Sequence, residues 1–359
     1  MKKLFLLLIP ILIVNTLNAQ PKFSGLAYGD YFYNAAVSDS SKANLNGFQF
    51  RRIYLTADYT ISESFDSRFR FESDQSANSN TAGGKLGVMV KDAWLKWRNV
   101  FSGSDLIFGI SPTPAFDISE AAWGYRSLEK TIMDLRSIVP SRDFGIDLKG
   151  KLTGDGMIKY WLKAANNSGN APETDKYKRY YALVQVSPTN NFMFTVYGDY
   201  QALAQKLDAF DKKNKENNVF TGALFLNYAE KDQYSFGVEG FYKTQSNNID
   251  LNVPTPTAAS AQVGYGLSFW GWYGFSDIVR LVGRYDMFEP NKDYKNSTSN
   301  LNYTKGDQLG FILAGLDFKV DKNVSIIPNF EYTTYQYLPK LNSTYDHDLV
   351  ARVTFAYNF

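Results

Sequence analysis

The sequence predicts an all-β fold, a transmembrane antiparallel β-barrel of about 16 strands with short periplasmic turns and long extracellular loops. Three observations predict it. Side chains alternate in hydrophobicity with a period of two, and short and long connections alternate along the chain. Aromatic residues make up 16% of the 359 positions, 25 of them Tyr and 27 Phe, yet no apolar stretch after residue 19 is long enough to cross a bilayer as a helix.

The N-terminus comes first in order. Lys2 and Lys3 precede an apolar run from Leu4 to Val14, and a polar, small-residue stretch ends at Ala19. That pattern is a secretory signal peptide. Its apolar centre of about 11 residues falls short of the roughly 20 a spanning helix needs. The expected organisation is therefore a signal over residues 1–19 and one barrel over 20–359. No plug domain is expected, because the segment Phe23–Tyr33 already alternates.

Charge and cysteine content exclude several classes. Losing Lys2 and Lys3 from 38 bases leaves a number equal to the 36 acids, so the exported chain is formally neutral. A nucleic-acid binder would rest on excess Lys and Arg. The absence of Cys removes disulfides, thiol catalysis and thiolate metal sites.

The alternation is clearest at the end, where Leu349, Ala351, Val353, Phe355, Tyr357 and Phe359 oppose Arg352, Thr354 and Asn358. Likewise Ile53, Leu55, Ala57 and Tyr59 oppose Arg52, Thr56 and Asp58, and Phe65, Phe69 and Phe71 oppose Asp66, Arg68, Arg70 and Glu72. A soluble sandwich would alternate too, so connection lengths decide. Tight turns recur from Ile61–Ser64 to Asp321–Asn323, and longer polar stretches lie between them, from Asn34–Asn46 to Gln336–His347. An even number of strands closes a sheet without an unpaired edge in lipid, and about sixteen enclose water.

Three groups of residues carry candidate functions. Phe355, Tyr357 and Phe359 resemble the terminal signature read by barrel assembly machinery; the alternative is a last strand that merely happens to be aromatic. The stretch Pro112–Arg142 is the longest connection and unusually apolar, with Phe116, Trp123, Tyr125, Leu128, Ile132 and Met133 among its residues. It is expected to fold into the lumen, where Asp117, Glu120, Arg126, Glu129, Lys130, Arg136 and Arg142 would set the local field, together with Asp134 and Asp143. The alternative is a compact loop on the barrel rim. Arg52, Arg68, Arg70, Lys96 and Arg98 face inward, either as a charge lattice with acids such as Asp58, Asp66, Glu72 and Asp92 or as a cationic track.

Enzymatic readings find little support. His347 is the sole histidine and lacks a convincing Ser partner, which a Ser/His esterase of membrane lipid would need. Asp346 and Asp348 flank it and suit a weak cation site or a solvated loop. Gly83–Gly84 lacks the following lysine and helix of a P-loop. No enzyme, cofactor or metal is expected.

The run Gly109–Ile110–Ser111–Pro112–Thr113–Pro114–Ala115–Phe116, followed by Glu120, Trp123–Gly124–Tyr125–Arg126 and Glu129–Lys130, resembles the strand-to-third-loop region of the phosphate-selective porin O and P family. Arg68–Phe69–Arg70–Phe71–Glu72 shares that resemblance. It implies a sixteen-stranded homotrimeric barrel constricted by its third loop, in the bacterial outer membrane. The implied role is passive diffusion of small hydrophilic solutes or ions, anions such as phosphate among them. Phosphate selectivity itself is not implied, since acids interleave with the bases. A different class, an adhesin acting through long loops, shares the same architecture.

Overall fold

The computed structural model describes residues 20–73, 86–208, 212–248, 260–290, 308–335 and 347–359. The expected signal over 1–19, Gly83–Gly84 and Asp346 lie outside them.

Sixteen antiparallel strands form one closed barrel in sequential order. They are β1 Lys22–Ala36, β2 Asn46–Thr60, β3 Phe65–Ser73, β4 Met89–Phe101, β5 Ser104–Pro112, β6 Arg142–Lys151, β7 Ile158–Ala165, β8 Arg179–Val186 and β9 Phe192–Gln201. Then follow β10 Val219–Glu230, β11 Tyr234–Asn248, β12 Ser260–Gly274, β13 Val279–Glu289, β14 Gln308–Asp321, β15 Val324–Tyr335 and β16 His347–Asn358. Connections of two to six residues join strands at one end, and connections of nine to twenty-nine residues join them at the other. Strand β1 begins and β16 ends at the short-turn end.

The period-two pattern explains which way each strand faces. In β3, Phe69 is 54% exposed on the outer face while its neighbour-but-two Glu72 is 1% exposed on the inner. Phe108, Leu224, Tyr285 and Phe330 likewise stand outward and open. A soluble protein seldom shows so continuous an apolar surface, and a belt of this kind is stable against hydrocarbon.

Closure occurs where β1 pairs β16, from Leu26 opposite Asn358 to Ala36 opposite Leu349. Gly25 exchanges both backbone hydrogen bonds with Phe359, at 2.9 and 3.1 Å. A Cβ at Gly25 would lie 2.1 Å from the Phe359 ring, so any larger residue would have to displace that ring.

Among the register shifts in the barrel, two lie on the wall of β2–β4. Tyr28 pairs Arg52 and Gly29 pairs Phe50, which leaves Arg51 as an extra residue in β2. Arg70 pairs Asp92 and Phe71 pairs Val90, which leaves Lys91 extra in β4. A bulge re-aims a side chain, and these two turn Arg51 inward beside Arg52 and Lys91 inward beside Asp92.

Candidate functional site: the lumen wall and the third long loop

The inner face of β2–β4, with the start of β6, carries seven cationic side chains around four carboxylates. Glu72 holds Arg52 at 2.7 Å and Lys91 at 2.8 Å. Asp92 holds Arg70 at 3.3 Å and also Arg142. Asp66 holds Lys96 at 3.1 Å and Arg98 at 2.5 Å, and Asp58 takes Arg68 through two bonds of 2.6 and 2.9 Å. Glu72 and Asp92 are sealed beneath their partners, whereas the side chains of Arg68, Arg70, Lys96 and Arg98 are 21–33% exposed. Two planar rings interleave with this lattice: Arg52 and Arg70 lie 5.3 and 5.1 Å from the centre of Tyr54, and Arg68 lies 5.5 Å from Trp94.

The connection between β5 and β6 packs on the opposite inner wall. It contains helix α1, Asp117–Trp123, and a single turn α2, Ile132–Leu135. Gly124 ends α1 in the left-handed region, φ 71°, and donates its N–H to Glu120. Trp123, Leu128, Ile132 and Met133 are fully buried. Trp123 meets inward-facing Trp270 of β12 at 5.3 Å, and Ile132 and Met133 join Phe241, Tyr181 and Trp161 from the wall. A Cβ at Gly266 of β12 would come within 2.9 Å of Ile132, so glycine there makes room for the loop.

Polar ties fasten the same segment. Ser119 donates to Glu239 of β11 at 3.0 Å, and Tyr125 donates to Asp317 of β14 at 2.9 Å. Arg284 of β13 donates to the Lys130 carbonyl, and Lys243 of β11 donates to that of Ile138 at 3.1 Å. The two bulge cations hold it from the other side. Arg51 donates to the Ser127 and Leu128 carbonyls at 3.2 and 2.5 Å and pairs Glu129 at 3.2 Å. Lys91 donates to Ser141 at 3.2 Å, near the loop's end.

The loop turns acids toward the cationic wall. Exposed Asp117 lies within electrostatic range of Arg142 and Lys149, and Glu120 within that of Arg126, Arg142 and Arg52. This arrangement sets negative charge against positive across the lumen, which orients and sorts small charged solutes.

Among the described residues, those singled out in the sequence have definite places. Arg52, Arg68, Arg70, Lys96 and Arg98 all sit in the wall lattice, paired as described. Arg126 bridges Glu120 at 2.8 Å and Asp134 at 2.9 Å within the loop. Glu129 anchors to Arg51, Lys130 contributes its backbone carbonyl to Arg284, and Arg136 lies over the Phe288 and Phe311 rings at 5.5 and 5.9 Å. Arg142 requires a correction: it opens strand β6 and belongs to the wall, because the ladder with β5 starts at Pro112–Arg142. Asp143 is likewise a strand residue, and it is bound by the Tyr181 hydroxyl at 2.6 Å and the Asn167 N–H at 2.8 Å. Phe355 meets Phe50 edge-on at 5.6 Å, and Tyr357 and Phe359 point outward. His347 lies at the start of β16, 5.2 Å from the Tyr332 ring.

No family model matches the chain, and no curated protein matches it. Solved structures do. OmpF of Salmonella typhi, in complex with daunomycin, aligns over 95% of this chain and 98% of its own, with TM-score 0.63 and 14% identity. OprB of Pseudomonas putida aligns over 95% and 94%, with TM-score 0.63 and 12% identity. The fold is the porin fold. An anion-selective porin from Comamonas acidovorans shares it over 95% of this chain and 100% of its own, with TM-score 0.60 and 9% identity.

Arg51 and Lys91 were missed by sequence reasoning, although they are the two porin-fold residues that clamp the loop to the cationic wall. Strict alternation places each of them outward. The detectable signal was the doublet itself, Arg51–Arg52 and Lys91–Asp92, where two charged neighbours cannot both satisfy a period of two without a bulge.

Proposed function

We propose that this chain is an outer-membrane porin through which small hydrophilic solutes diffuse passively, with a preference for small anions. The observation that carries the reading is the lumen wall of seven cations around four carboxylates, two of those carboxylates buried, opposite a loop fastened to the far wall. Charges lining a constriction act at close range and so sort ions more strongly than net charge does. The outward aromatic and aliphatic belt supports placement in lipid.

The loop between β5 and β6 is the constriction in this reading, with Asp117 and Glu120 as its acidic edge. The local likeness to the phosphate-selective porin O and P family supports the same role and makes phosphate a candidate solute. Residues 1–19 direct export, the aromatic terminus Phe355, Tyr357 and Phe359 recruits the assembly machinery, and the working unit is a homotrimer. The role calls for no catalytic group.

The test is electrical. Purified protein added to planar bilayers in potassium chloride should give stepwise, ohmic conductance and, under a salt gradient, a reversal potential of anion-selective sign. Phosphate should compete with chloride for passage. Membranes that stay closed at all voltages, or a cation-selective reversal potential, would overturn the proposal.

A further inference from the structure

A cavity of about 390 Å³ lies at the short-turn side of the loop, between the underside of α1 and strands β1 and β12–β16. Its lining divides by chemistry. Leu26, Ala121, Trp272 and Ile327 make an apolar wall, while Arg126, Arg280, Lys319 and Lys322 supply cations.

The carboxylates nearby are engaged, except that the buried Oδ1 of Asp317 has no hydrogen-bond partner. Asp317 is 3% exposed and accepts from Tyr125 at 2.9 Å, and Asp232 is held by Arg280 at 3.2 Å. Arg126 is occupied by Glu120 and Asp134. Among the described residues Lys319 and Lys322 form no ion pair. The buried Nε of Arg280 also lacks a hydrogen-bond partner, and its guanidinium is stacked 4.1 Å from the centre of Trp272. An apolar recess rimmed by two lysines without an ion pair matches a molecule with a hydrophobic body and an anionic head. An inorganic anion would leave the apolar wall dry and unfilled, and a neutral apolar solute would leave the lysines unanswered.

We infer that this recess is a binding station for small amphiphilic carboxylates, with the head on Lys319 and Lys322 and the body against Trp272 and Ile327. The inference rests on the lumen reading above for its access route. It adds a second station in series with the cationic wall, distinct in ligand class, on the side where solutes leave or enter at the short-turn end.

The experiment is calorimetric titration of the full chain in lipid nanodiscs with phenylacetate, compared with inorganic phosphate, which has only the head, and 2-phenylethanol, which has only the body. Phenylacetate should bind saturably, and neither comparator should displace it at equal concentration. Lys319→Gln with Lys322→Gln should weaken binding by about tenfold or more, since the anionic head would lose both of its cationic partners. Trp272→Leu should weaken it while leaving phosphate competition with chloride in bilayers unchanged. Equal displacement by phosphate, or unchanged binding in the double lysine variant, would overturn the inference. Both lysines lie at the rim, so that variant keeps the barrel's packing. Because binding needs no current, a closed channel with intact binding would sink the pore reading alone, and an open channel without binding would sink the recess alone.

Discussion

At the scale of single residues, the wall works through unequal sharing. Glu72, 1% exposed, holds two cations, and removing it leaves Arg52 and Lys91 buried without a counter-charge. Breaking such a buried pair costs about 3–5 kcal/mol, so Glu72→Ala should lower the temperature at which the barrel loses its heat-resistant gel mobility and make the channel more anion-selective. Glu120 gives a pH signature. The packing around it pushes its carboxyl above the ordinary range, countered in part by Arg126. It therefore takes up its proton at a higher pH than a free glutamate, and protonation removes negative charge facing Arg52 and Arg142. Reversal potentials should shift toward anions as pH falls, beginning above the range in which a free glutamate takes up its proton, and Glu120→Gln should abolish that shift. An equal shift in the variant would contradict the assignment. Much of this lattice was legible from charge alternation alone, as at Asp66, Arg68, Arg70 and Glu72. Arg51 and Lys91 were not, because a bulge depends on how two strands pair, and pairing is not written in one strand's pattern.

At the scale of elements, the loop between β5 and β6 is a packed unit and not a solvated tether. Trp270 of β12 is 4% exposed and touches the rings of Trp123 and Phe225 at 5.3 and 5.9 Å. Trp270→Ala should cost about 3–5 kcal/mol of local packing. The loosened loop should show as larger fluctuations in single-channel current and as trypsin cleavage at Lys130 or Arg136, sites protected in the parent. Unchanged noise and protection would contradict the packing account. The loop's apolar composition was visible in the sequence, but its seat was not. Glu239, Asp317 and Gly266 come from strands more than a hundred residues away, and nothing local marks them as its partners. The boundary at Arg142 was misplaced for a related reason: a strand end is set by its ladder with Pro112, not by its own composition.

For the whole molecule, the number and order of strands were legible because each turn length is a local choice repeated along the chain. Closure is the exception, as it joins the two ends of the sequence through Gly25 and Phe359. Gly25→Val should clash with the Phe359 ring and lower barrel stability, and adding Phe359→Ala should restore part of it, read from heat-modifiable mobility. Additive losses in the double variant would argue against that contact. Transport through this barrel requires that one side of the wall face water and the other lipid. The chain has no cysteine, so single substitutions report cleanly on this point. Arg68→Cys, Phe69→Cys, Arg70→Cys and Phe71→Cys, made one at a time and treated in intact membranes with a charged, water-soluble methanethiosulfonate, should label at 68 and 70 and stay unlabelled at 69 and 71. Labelling at all four positions alike, or none at 68 and 70, would contradict a water-filled lumen.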